Sequence, residues 1–220
     1  MTTTPATAST GSNQLMESGR LFEPAGDPIS PNRNLTPITT IVDPEGRLGI
    51  GGCLLSDLAR RYGTPLYVLD EATLRATAAA YRTALATSYP GKALALYASK
   101  ANSSLAITAV VASEGLGLDA VSSGELLTAV RGGMPPERIV FHGNNKSSDE
   151  LQLAADLGVT VVADNWLDLE HLADLGLQQP VRLMLRFTPG IECHTHEYIR
   201  TGHLDSKFGF DPDQLESVLR

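Results

Sequence analysis

The sequence predicts an α/β fold, a TIM-type (β/α)8 barrel that is incomplete at its C-terminus and preceded by a short β-hairpin segment. Three observations predict it. Apolar runs with strand character begin at residues 93, 116, 139, 160 and 181, and helical periodicity separates them. Such alternation belongs to parallel α/β folds. An open doubly wound sheet would also alternate. However, no Gly-x-Gly-x-x-Gly follows a strand, and Gly115-Leu116-Gly117 precedes one, the wrong side for a phosphate loop. The barrel is therefore preferred. Finally, the residues with chemical potential collect where strands hand over to helices, which is where parallel α/β folds keep their sites.

Composition bounds the reading. The 220 residues suffice for one large domain or two small ones, and 42% are hydrophobic, enough for a core. A net charge of −8 argues against a nucleic-acid or anionic-membrane partner. No apolar run approaches the ~18 residues of a membrane span. Two cysteines, Cys53 and Cys193, suit a reducing, cytoplasmic setting better than a disulfide scaffold. Residues 1–34 are rich in Thr, Ser, Pro, Gly and Asn, and read as a disordered tail. They show no secretory signal, and scarce Arg with Glu17 weakens a transit-peptide reading.

The elements follow in order. Residues 38–42, the turn Asp43-Pro44-Glu45-Gly46 and residues 48–50 form a hairpin. Residues 54–62 form a helix closed by Gly63, and Thr64-Pro65 leads into a strand over 66–69. A helix over 71–88 then opens the repeat. Strands at 93–97, 116–121, 139–141, 160–163 and 181–187 alternate with helices at 105–114, 124–131, 147–157 and 166–175. Ser147-x-x-Glu150 is a capping box at the third of these. Asp211 as cap with Pro212 at the first position begins a further helix. Five repeating strands fall short of the eight strands and ~250 residues of a full barrel, so the chain is expected to stop before closure.

Around the strand ends stand Lys100, then Asp119 with Ser122, Ser123 and Glu125, then His142 with Asn144 and Asn145, then Arg186. An amine at a strand end, partly withdrawn from water, is a candidate nucleophile toward a carbonyl. Taken singly, each residue also has a structural reading. Lys100 could pair with a carboxylate, Ser122 or Ser123 could cap a helix, Glu125 could complement its dipole, and His142 could be a satisfied strand histidine. Residues 190–197 hold Glu192, Cys193, His194, His196 and Glu197, but crowded into one segment without the separated pairs of a structural zinc site, so no metal is expected.

Four motifs in this order carry a resemblance over residues 35–220. Tyr97-Ala98-Ser99-Lys100-Ala101-Asn102 resembles the cofactor-attachment motif of the fold type III, alanine-racemase-like pyridoxal-phosphate decarboxylases. Residues 117–126 and 135–147 resemble the next two strand-and-turn segments of that family. His196-Glu197-Tyr198-Ile199-x-Thr201-Gly202, with Ser206-Lys207-Phe208-Gly209, narrows the resemblance to its diaminopimelate decarboxylase branch. Ser99 departs from the Val of many members without touching the lysine.

The resemblance implies an enzyme using pyridoxal 5'-phosphate to convert meso-2,6-diaminopimelate to L-lysine and carbon dioxide. Lys100 would carry the cofactor covalently, and Asp119, Glu125, His142 and Arg186 would line its site. It also implies a small-molecule amino-acid substrate, a homodimer in the complete protein, and further site residues beyond Arg220. Residues 35–69 would belong to the family's β domain and 70–220 to a partial cofactor-binding barrel. The alternatives are a sister decarboxylase acting on ornithine, arginine or carboxynorspermidine, a non-catalytic carrier of the cofactor, and an inactive regulatory relative. The 196–209 stretch argues against the first, the hairpin segment against the second and Lys100 against the third.

Overall fold

The computed structural model describes residues 35–176, 179–189 and 208–219. The tail over 1–34 and the loop over 190–197, with most of the 196–209 motif, lie outside the described residues. The chain divides into two units, Met1–Thr83 and Ala84–Arg220.

The first unit contains an antiparallel sheet of β1 (Ile41–Val42), β2 (Leu48–Ile50) and β3 (Cys53–Leu54), in that order. Asp43 builds the β1–β2 turn. Its carboxylate accepts from the backbone N–H groups of Glu45 and Arg47 at 3.0 and 2.7 Å. Strand β3 was not expected from the sequence. Gly51 and Gly52, with φ of 59° and 79°, form the two-residue connection that turns the chain back, so that Ile50 pairs with Cys53. Helix α1 (Leu55–Tyr62) ends at Gly63, as expected. The strand expected over 66–69 does not form. A strand exists only by pairing, and among the described residues no segment pairs with this one; Tyr67 is 97% exposed. Asp70 then accepts from Thr73 N–H at 2.9 Å at the start of α2 (Glu71–Ser88), and from the Thr39 hydroxyl at 2.8 Å.

The second unit is a parallel sheet of β4 (Leu96–Ala98), β5 (Gly117–Ala120), β6 (Ile139–Phe141), β7 (Thr160–Ala163) and β8 (Arg182–Leu185). Between them come α3 (Leu105–Ser113), α4 (Ser123–Arg131), α5 (Ser148–Leu157) and α6 (Trp166–Asp174). The spatial order is β4-β5-β6-β7-β8. A doubly wound sheet reverses its order at a switch point, whereas here each strand lies beside its successor, the order of a barrel wall. The fold is a partial TIM-type barrel.

Burial explains which strands are central. Leu118, Ala120, Ile139, Phe141, Val161 and Ala163 are almost fully buried, together with Leu126, Ala129, Leu151 and Ala154 from the covering helices. Gly117 lets the strands approach. A Cβ there would stand 2.4 Å from the Arg138 carbonyl and 2.5 Å from Leu96 Cδ2. Strands β4 and β8 are shorter than expected, because a ladder runs only as far as its partner. Leu96 pairs with Gly117, the first residue of β5, and Leu185 with Ala163, the last of β7. Beyond β8, Phe187 bridges in parallel to Phe210, and Phe210 packs edge-on to Trp166 at 5.6 Å. Asp211 caps as expected, but the turn it opens is 3-10 (Pro212–Gln214) before α7 (Leu215–Val218).

Candidate active site at the strand ends

Lys100 lies in a 3-10 turn, Ser99–Ala101, directly after β4. Ser99 fixes that turn. Its buried hydroxyl donates to the Asp119 backbone carbonyl at 2.8 Å, tying the end of β4 to β5. The Tyr97 hydroxyl donates to the Asn102 carbonyl at 3.3 Å, and Asn102 Oδ1 accepts from Ser104 N–H at 3.0 Å ahead of α3. Burial pushes the Tyr97 phenol above its ordinary pKa against the smaller pull of its hydrogen bond. The partial desolvation expected for Lys100 is not found, since its side chain is exposed. Among the described residues, β4 flanks the sheet and pairs only with β5. Among the described residues no hydrogen bond or ion pair engages the Lys100 amine.

Register brings the next residues to the same rim. Ala98 pairs with Asp119, and Asp119 with Val140. His142 follows β6 and donates its backbone N–H to Ala120 at 2.8 Å. Its ring Nδ1 meets Asp119 Oδ1 in a short hydrogen bond. A carboxylate and an imidazole thus face each other across adjacent strand ends. Glu125 is placed differently. Its Oε2 accepts from Val121 N–H at 2.6 Å, one residue before the cap, and the Ser122 hydroxyl caps α4 by accepting from Glu125 N–H at 3.3 Å.

Arg186 comes directly after β8. Its Nη1 donates to Asp164 Oδ1 at 2.8 Å, and its guanidinium carbon lies 4.4 Å from the centroid of the Phe208 ring. Asp164 is 1% exposed and follows β7. Behind it sits a pair the sequence reading did not single out. Lys146 Nζ and Asp168 Oδ2 are 2.7 Å apart, each side chain 2% exposed. Asp168 also accepts from the Asp164 N–H at 2.9 Å. One signal was available: Asp164 directly follows an apolar strand, as do other residues of this rim.

Lys100, Asp119, His142 and Arg186 converge on one cavity of about 530 Å3. Val121, Val162, Met184 and Phe208 supply apolar wall. Glu125 does not line it, although Val121, whose N–H it holds, does. An amine unengaged among the described residues, a guanidinium and a carboxylate already paired with an imidazole suit an anionic aldehyde. Pyridoxal 5'-phosphate has that chemistry.

The fold and cavity define a barrel-type binding domain whose reactive groups sit at the carboxyl ends of its strands. Residues 71–220 match the family described as "Pyridoxal-dependent decarboxylase, pyridoxal binding domain". The chain belongs to this family, whose cofactor is pyridoxal phosphate. It is 54% identical over 200 residues to a diaminopimelate decarboxylase of Synechocystis sp., covering 86% of this chain and 43% of that protein. It is 50% identical over 169 residues to the Bacillus subtilis diaminopimelate decarboxylase, covering 76% and 38%. A crystal structure of diaminopimelate decarboxylase from M. jannaschii superposes with a TM-score of 0.71 at 30% identity, over 82% of this chain and 44% of that one. That enzyme has also been solved in complex with L-lysine. The chain therefore spans about two fifths of the length of the relatives it matches.

Proposed function

We propose that this chain is the cofactor-binding part of a diaminopimelate decarboxylase, releasing carbon dioxide from meso-2,6-diaminopimelate to form L-lysine. The observation that carries the reading is the Lys100 amine, unengaged among the described residues, at the wall of a cavity shared with Asp119, His142 and Arg186. The identity to the Synechocystis and Bacillus enzymes supports the choice of substrate. Residues 70–220 form the partial barrel that holds the cofactor, and the complete protein acts as a homodimer in the cytoplasm. No helix among the described residues is long and apolar enough to cross a membrane.

Each side chain has a part. Lys100 attaches the cofactor through its amine. Asp119 accepts a hydrogen bond from His142, which fixes the orientation of the ring and its tautomer. Arg186 adds positive charge to the wall, favouring the anionic groups of cofactor and substrate. Glu125 acts indirectly by holding the turn that carries Val121. The apolar wall of Val162, Met184 and Phe208 limits water on one side. The chemistry that pyridoxal phosphate supplies when bound is an electron sink for the bonding pair left as carbon dioxide departs.

The test is borohydride reduction of the protein loaded with pyridoxal phosphate, followed by peptide mapping. The pyridoxyl group is expected on Lys100. A label on Lys146 or Lys207 instead would overturn the attachment. In a parallel assay of the complete protein, lysine should form from meso-diaminopimelate, with ornithine and arginine left unchanged.

A further inference from the structure

We propose that Asp164 is a positioning residue for Arg186. Clamped from behind by the buried Lys146–Asp168 pair, it aims the guanidinium along the cavity wall. The proposal rests on the reading of this cavity as the cofactor site.

The argument starts from what Asp164 does with each polar group. Its N–H donates to Asp168 Oδ2 at 2.9 Å, so its backbone is anchored to a carboxylate that is itself held. That carboxylate is held by Lys146 Nζ at 2.7 Å, and the same ammonium also donates to the Gly143 carbonyl. Gly143 lines the cavity next to His142. Asp164 then spends both carboxylate oxygens outward. Oδ1 accepts from Arg186 Nη1 at 2.8 Å, and Oδ2 from the Gly209 N–H at 3.2 Å. Phe208, the neighbour of Gly209, lies against the face of the same guanidinium. Arg186 is thus fixed at one edge by Asp164 directly, and on one face by the ring of Phe208, whose neighbour Gly209 is also held by Asp164. A planar guanidinium with an edge and a face engaged has little rotational freedom left. The side chain, one-third exposed, lines the cavity.

The identity of the residue matters. A carboxylate accepts on both oxygens, whereas an amide of the same shape accepts on one and presents N–H donors from the other. Asp164→Asn therefore cannot serve Arg186 and Gly209 together. Because Asp164 and Arg186 act as one unit, their effects should be non-additive.

The experiment is a double-mutant cycle read as pyridoxal phosphate affinity, by titrating the stripped protein. The variants are Asp164→Asn, Arg186→Met and the double variant. Asp164→Asn is expected to raise Kd about tenfold when Arg186 is present, and less than about twofold in the Arg186→Met background. Equal effects in both backgrounds would show that Asp164 is only a structural tie. A second readout does not need the cofactor. In nitrogen-15 spectra of the unsubstituted protein, the Arg186 guanidinium N–H groups should be resolved and slow to rotate, and Asp164→Asn should average them. A freely rotating Arg186 in the unsubstituted protein, or one unchanged by Asp164→Asn, overturns the proposal, including when a variant fails to fold. If the unsubstituted protein takes up no cofactor, the reading of the cavity falls, and the guanidinium spectra alone decide the role of Asp164.

Discussion

Lys146 and Asp168 form the pair whose disruption should cost this fold most. Both are buried, so removing one leaves an unpaired charge without water. Lys146→Met is expected to destabilise by about 3–5 kcal/mol. Lys146→Met with Asp168→Leu should recover part of that and no more. The Asp164 N–H also loses its acceptor, and a buried donor without a partner costs about 1–3 kcal/mol. Chemical denaturation measures both, and a single variant within about 1 kcal/mol of the parent contradicts the argument. Ser99→Ala removes one buried hydrogen bond and should cost about 1 kcal/mol by the same measurement. At this scale the sequence was informative where one residue carried its own chemistry in a strand-end position. Lys100, Asp119, His142 and Arg186 were singled out that way, and they line one cavity. Lys146 and Asp168 were not, because their significance lies in a partner 22 residues away and in the absence of water around both.

Glu150 joins two elements. Its Oε1 accepts from Ser123 N–H at the start of α4, while Oε2 accepts from Ser147 at the start of α5. Burial pushes its carboxyl up, but the bonds from Ser147 and Ser123, with the Lys146 charge, outweigh that and hold its pKa below the ordinary value. A carboxyl depressed on folding adds stability that is present above its unfolded pKa and lost as pH falls through its folded one. Glu150→Gln should therefore cost about 1 kcal/mol near neutral pH, and the gap should close as pH falls below about 4. Thermal melts across pH read it, and a gap independent of pH would refute the charge argument. Asp70 behaves alike at α2. Burial raises its pKa, yet the bonds from Thr73 and Thr39 hold it low. Helices and central strands were legible because caps and periodicity are local. The 66–69 segment was over-read because apolar sequence alone does not supply a pairing strand. Strand β3 was missed although Gly51-Gly52 announced its turn.

On the scale of the molecule, the flanking strands β4 and β8 carry the exposed apolar side chains Leu96, Leu183 and Met184. Unpaired edges with apolar faces favour association. Expressed by itself, the 220-residue chain is expected to self-associate and not to form lysine from meso-diaminopimelate, since among the described residues β4 pairs only with β5 beside Lys100. Sedimentation and a lysine assay test this. A monodisperse monomer with turnover near the relative's would contradict both parts.

The sequence by itself determined the alternation of strand and helix, most element boundaries and the lysine at the first strand end of the repeat. These are properties of short segments, set by periodicity, caps and turn residues. It also carried motifs specific enough to name a family. Tertiary structure decided the rest. Sequential strand order made the sheet a barrel wall, and register brought Asp119 beside His142. Packing turned Glu125 onto a backbone N–H and away from the cavity, and hid Lys146 with Asp168 behind Arg186. Each of those outcomes depends on which groups lose water together, and that is fixed only when distant segments meet.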